Sequence, residues 1–349
     1  METRRDVLRG LAVGLGVLAC GRALGQPADE AAYVGIETSA RTGHSEASFF
    51  SASGARTASV PLDFRAHGMA QGGRTLIVFP RRPGTMFAAV DLGTLEIRAT
   101  VHAPEGRHFY GHGAVSSDGK TLLAPENDLE SLQGHLALYD MSASPRRLGS
   151  VPLPGAGPHE IIREAQRDVF YVALGGLETH PDYGRLALNR DSFRSRILAY
   201  DLGRDRLSDM GSWAGTEGIS LRHMAQDADG VIYVGGQVVD ARRASGDVLW
   251  RLTGGGAEML QTGRLLSGYV SSVATRGREA LVTSKTSGRC VVLRDGKILE
   301  ARALEGASAV ASVAGKAIWS GFTSLSLGTR TELAKPGHEF DNHGFSVRL

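Results

Sequence analysis

Apolar residues along this chain come in short runs rich in Val, Ile, Tyr and Ala, closed off by Gly and Asp, and almost no 15-residue stretch carries a helical period. That pattern predicts an all-β fold. Turn pairs such as Ser117-Asp118-Gly119-Lys120, Asp227-Ala228-Asp229-Gly230 and Asp295-Gly296-Lys297 fall where a tight hairpin needs a positive φ.

Two landmarks recur in step. The first is a polar start followed by a two-strand unit, at His67 through Phe79, His112 through Leu123, His159 through Ala173, His223 through Val234, Tyr269 through Thr283 and Ser308 through Ser320, spaced by 45, 47, 64, 46 and about 40 residues. The second is an apolar third strand ending in a polar turn, as in Ala88-Ala-Val-Asp91, Leu136-Ala-Leu-Tyr-Asp140, Ile197-Leu-Ala-Tyr-Asp201, Val248-Leu-Trp-Arg251 and Val291-Val-Leu-Arg-Asp295. A spacing of this size is that of a four-stranded propeller blade. The long interval holds a polar insertion, His180 to Arg190. Six units leave residues 31–62 and Gly344 to Leu349 over. A seventh blade completed by strands from both ends would absorb them and hide the edges of an open array. The expected fold is therefore an all-β, seven-bladed β-propeller closed by N- and C-terminal strands, with residues 26–349 as one domain. A pair of β-sandwich-like halves is the competing reading.

The chain begins with Thr3-Arg4-Arg5-Asp6-Val7-Leu8-Arg9 and a short apolar run, Gly10 to Ala19. This reads as a twin-arginine signal over residues 1–25, and the run is too short for a lasting membrane anchor. Ala23-Leu24-Gly25 offers a cleavage site for soluble release; Val17-Leu18-Ala19-Cys20 resembles a lipobox and would leave a lipid anchor at Cys20. Either outcome places the working protein in the periplasm. Without residues 1–25 the basic and acidic residues balance at 35 each, so no nucleic-acid partner is implied. Cys290 would be the one thiol left after soluble processing, which argues against disulfide chemistry.

If equivalent blade positions converge on the propeller axis, His67, His112, His159 and His223 ring one channel mouth. Imidazole can bind a transition metal while neutral and exchange a proton near neutral pH, so these four are the candidate metal ligands. Polar residues crowd around them: Arg65, Arg81, Arg82, Arg107, His108, Glu126, Asn127, Glu160, His180, Asp182, Arg185 and Arg222 complete the candidate ligand-binding set. Arginines beside histidines suit an anionic or carboxylate-bearing ligand. Glu126, Glu160 and Asp182 would either neutralise a metal and orient an imidazole, or simply pair with arginines. Ordinary hydrogen bonding at strand ends is the plain alternative for any one histidine. The chain has no Gly-x-Ser-x-Gly elbow, His-Glu-x-x-His, Walker loop or Cys-x-x-Cys-His haem attachment.

Arg65-Ala-His67-Gly68, Arg81-Arg-Pro-Gly84, Gly106-Arg-His-Phe-Tyr-Gly-His-Gly113, Glu126-Asn-Asp128, Gly157-Pro-His-Glu160, Thr179-His-Pro-Asp182, Ser220-Leu-Arg-His223 and Asp341-Asn-His343 together resemble the domain of unknown function 1513 family, across nearly the whole mature chain. The resemblance implies export by the twin-arginine route, a seven-bladed propeller, and a part in iron handling beside imelysin-like, iron-regulated proteins. The expected function is periplasmic binding of a transition metal, iron or copper, or of an iron-bearing anion. A metal-assisted hydrolase or lactonase and a scaffold for a periplasmic protein partner are the alternatives, and the question of enzymatic activity stays open.

Overall fold

The computed structural model describes residues 31–184, 186–211, 213–240, 246–327 and 330–347; the signal segment, Cys20 and Arg185 lie outside them. Seven antiparallel sheets stand around one axis. Six follow the chain in order, each running from an inner to an outer strand. The inner strands of blades 1, 3, 4, 5 and 6 are Ala66–Gly72, Pro158–Arg163, Ile219–Gln226, Ser272–Arg276 and Val310–Val313. In blade 2 the inner strand is split into Arg107–Phe109 and Ala114–Val115, both paired to Thr121–Asp128. Blade 7 takes its inner strand, His338–Phe345, from the C-terminus and its other three, Ala31–Ser39, Ser45–Ser51 and Arg56–Pro61, from the N-terminus.

Burial explains the strand composition. Each blade packs both faces against neighbours, so a second strand such as Thr75–Pro80 is buried at every position after the first and reads as a continuous apolar run. Outer strands such as Glu96–His102 and Lys297–Ala303 meet solvent and are charged. Apolar clusters fill the gaps between adjacent blades all the way round. Phe79, Phe87 and Tyr139 join blades 1 and 2; Phe49 and Val78 join blades 7 and 1; Tyr33, Phe50 and Leu325 join blades 7 and 6. The largest surrounds blade 4, with Trp250 fully buried.

The closing strand begins earlier than the leftover segment Gly344 to Leu349 indicated. It pairs His338, Glu339 and Phe340 with Ser39, Thr38 and Glu37, and Gly344 and Phe345 with Gly35 and Val34. Asp341, Asn342 and His343 are thereby drawn into the innermost position of blade 7. At the opposite end of this pairing, buried Glu37 accepts from Arg56 and from the Lys335 backbone, and Lys335 also binds Glu46. Among the described residues no helix is long and apolar enough to cross a membrane.

Candidate metal centre on the propeller axis

Inner strands are not regular where the histidines sit. Pairing with the second strand slips between Ala66 and Met69, between Pro158 and Glu160, and between Leu221 and Met224. In blade 7 residues 341–343 lie opposite the single residue Ile36. Each slip is a β-bulge, which bends a strand and re-aims its side chains. The break in blade 2, Tyr110 to Gly113, serves the same end. His67, His159, His223, His343 and His112 occupy these five irregularities and meet at the axis. Their ring centroids are 4.3 Å apart for His67–His343, 4.6 Å for His112–His343, 5.0 Å for His223–His343, and 5.1 Å for both His67–His112 and His159–His223. Blades 5 and 6 are regular there and contribute no histidine.

Close approach of the strands depends on glycines that follow the histidines. A Cβ on Gly68 would lie 2.4 Å from the Gly111 carbonyl oxygen and 2.9 Å from His112 Nδ1, and one on Gly113 would lie 2.3 Å from the Phe79 ring.

Two carboxylates, buried Asp341 and half-buried Glu160, fix the imidazoles. Asp341 accepts from His67 Nδ1 at 2.7 Å and from Arg81 at 2.8 Å. Glu160 bridges two rings: Oε1 accepts from His112 Nδ1 at 2.9 Å and Oε2 from His223 Nδ1 at 3.1 Å. A carboxylate on Nδ1–H leaves the Nε2 lone pair as the donor to a metal, which is the usual second-layer arrangement around metal-bound histidine. Nε2 of His112, His159 and His343 is buried and meets no hydrogen-bond partner among the described residues. Tyr269 lies 3.5 Å from His223 Nε2, and Arg222 an equally long 3.5 Å from His159 Nδ1.

Burial favours the neutral form of His67, His159, His223 and His343. It holds His67 down at about 4, against the pull of Asp341, and lowers His159, His343 and His223; Arg222 adds to the effect at His159. Burial opposes ionisation of Glu160, but the imidazoles of His112 and His223 outweigh it and bring the carboxyl to about 2. Asp341 is likewise held below the usual carboxylate range, His67 and Arg81 outweighing burial. The centre thus joins neutral nitrogen donors to ionised outer carboxylates, a set that fits a divalent transition metal.

The histidine layer divides two cavities. Residues that precede or flank the histidines face a bowl of about 840 Å³, whose wall includes Arg65, Arg81, Arg82, Arg222 and Lys285 against Glu339 and Asp341; His67 and His159 reach its floor. Residues that follow the histidines line a second cavity of about 410 Å³, with His112, Glu160 and His343 at its end.

All four sequence-derived histidines, with Arg65, Arg81, Arg82, Glu160 and Arg222, therefore come together at or around this layer. Others of the set do not line either cavity. Arg107 and Glu126 meet at 3.4 Å inside blade 2, where Arg147 and Tyr139 also bind Glu126. Asn127 is buried beside them and donates to the Asp128 carbonyl. His108 is buried with its Nδ1 donating to the Phe109 carbonyl, and burial lowers it to about 4. His180 caps a short 3-10 turn, Pro181–Tyr183, that contains Asp182; Pro181 and the following Gly184 touch the bowl. Sequence reasoning missed that His343 joins the axial layer and that Asp341 orients His67, along with Lys285 and Tyr269 in the bowl.

The ring resembles a chain in the crystal structure of a nidogen/laminin complex, at TM-score 0.52 and 11% identity over 78% of this chain and 93% of that one, a likeness of fold alone. No curated protein sequence is detectably similar. Residues 60–347 match the family described as protein of unknown function DUF1513, and by that match, which takes in blades 1 to 6, the closing strand of blade 7 and all five axial histidines, the chain belongs to this family.

Proposed function

We propose that the protein binds a divalent transition metal ion at the axial histidines and, through it, an anionic ligand entering from the arginine-lined bowl. The observation that carries this reading is His112: its Nδ1 donates to Glu160 at 2.9 Å, and its buried Nε2 meets no partner among the described residues. Leaving a buried polar atom unsatisfied costs about 1–3 kcal/mol, so a layer with three such atoms is arranged for something other than its own stability. Imidazole ligands carry no charge of their own and leave a bound ion its full positive charge, and the bowl adds Arg81, Arg82, Arg222 and Lys285. That field favours a carboxylate-bearing anion, which guanidinium groups grip by a planar fork. Iron, or an iron-bearing carboxylate complex, is the cargo this reading takes; the twin-arginine-like start of the chain supports binding outside the cytoplasmic membrane.

The test is calorimetric titration and metal analysis of untagged, EDTA-stripped protein with Fe²⁺, Cu²⁺, Zn²⁺ and ferric citrate, beside a folded His112→Ala/His159→Ala double variant. Stoichiometric binding that the double variant loses is the expected result. Absence of binding across the series, or unchanged binding in the variant, overturns the proposal.

A further inference from the structure

Two sets of three histidines each bring one ring nitrogen per residue within 4.8 Å of the others: His67, His112 and His159, and His112, His223 and His343. The sets overlap in His112 alone. They also differ in access, since His67 and His159 reach the floor of the bowl whereas His343 lies with His112 at the end of the opposite cavity. His112 has a single nitrogen to give, because Nδ1 donates to Glu160 at 2.9 Å. One lone pair serves one ion at a time.

Resting on the metal-binding reading above, we infer that the histidine layer offers two mutually exclusive metal positions sharing His112, one open to the bowl and one to the opposite cavity, between which an ion is handed along the axis. In the transfer two coordination bonds, to His67 and His159, give way to two others, to His223 and His343, while the bond to His112 persists. No electron moves, and His223 enters with a bare Nε2 lone pair because its Nδ1 donates to Glu160; a proton that His343 or His159 carries on Nε2 passes to its own Nδ1 as the metal bond forms. Tethering makes the exchange symmetrical in kind: Asp341 orients a ligand of the first position, and Glu160 orients the shared ligand and one of the second. The layer then acts as a relay between the two faces of the ring.

Mutually exclusive occupancy has a quantitative signature. The association constant of the whole protein is the sum of the constants of its two positions. Titration with Co²⁺ should give one ion per chain in the wild type. His159→Ala retains only the second position and His343→Ala only the first, so their two association constants should add up to the wild-type value, with distinct cobalt absorption spectra. His112→Ala should bind no Co²⁺; His112→Gln, which can keep the hydrogen bond to Glu160, guards against a folding defect, and each variant is checked by its thermal melt in EDTA. A single site using four or five histidines would instead lose more than about tenfold in both His159→Ala and His343→Ala, and the sum would fall far short. That result, or two ions per chain, overturns the relay while leaving metal binding intact. A wild type that binds no Co²⁺, Zn²⁺ or Fe²⁺ overturns the metal reading itself.

Discussion

Replacing Glu160 by Gln changes almost nothing in shape and one thing in chemistry. The carboxylate accepts two Nδ1 protons, from His112 at 2.9 Å and His223 at 3.1 Å. An amide can accept only through its oxygen; its nitrogen donates, so the ring facing it must offer Nδ1 as a lone pair and carry its proton on Nε2. An Nε2–H cannot ligate. Glu160→Gln therefore removes one of the two histidines from the donor set without deleting a side chain. Loss of such an outer-layer partner costs about 10–100-fold in metal affinity, or about 1.4–2.8 kcal/mol. Stability of the metal-free protein should change by about 1 kcal/mol or less, because the number of hydrogen bonds is kept and a half-buried charge is removed. Calorimetry with Zn²⁺ on EDTA-stripped protein and urea unfolding in EDTA measure the two quantities separately. A dissociation constant within twofold of wild type would refute the claim that Glu160 sets the tautomers; an equal loss of affinity and stability would show that it acts only as a structural acid.

Further outcomes follow from the same geometry. The unfolded chain protonates these imidazoles near 6.5, whereas folded His67 resists until about 4, so the unfolded state binds more protons in that window and stability falls as pH drops through it. For His67 alone the loss is about 3 kcal/mol; urea melts in EDTA that stay constant from pH 7 to 4.5 would contradict this. Gly68→Ala places a methyl 2.4 Å from the Gly111 oxygen and 2.9 Å from His112 Nδ1, and should cost about 1–3 kcal/mol while weakening Zn²⁺ binding through the displaced ring. Deleting residues 344–349 removes two closing pairs and buried Val347, for a loss of about 2–4 kcal/mol; a denaturation midpoint equal to wild type would show that closure does not depend on them.

Much of this fold was legible because a propeller repeats its instructions. The His and Tyr landmarks mark the inner strands, and the Asp-ended runs mark the third, so two markers in one register determined the blades. The convergence of His67, His112, His159 and His223 followed from that register. His343 did not, since the count ran out at the sixth unit and the closing strand belongs to a blade begun some 300 residues earlier, Ala31 to Pro61. Nothing local marks Asp341-Asn342-His343 as an inner strand; its partner is Gly35 to Ser39. Arg107 and Glu126 show the converse difficulty: a buried pair inside one blade and an axial pair look alike in sequence, both being polar residues near a strand end. The bulges that aim the histidines were likewise hidden, because an extra residue in a strand has no composition of its own.

The closing strand carries one more consequence, in the order of synthesis. A ribosome delivers His67, His112 and His159 within the first half of the chain, whereas Asp341 and His343 come within the last ten residues. Until that strand docks, His67 lacks its acid and the layer lacks one of its five imidazoles. The nascent chain therefore presents a different, poorer set of donors from the finished ring. An ion bound at the layer as proposed would meet its full set of imidazoles only once the ring has closed.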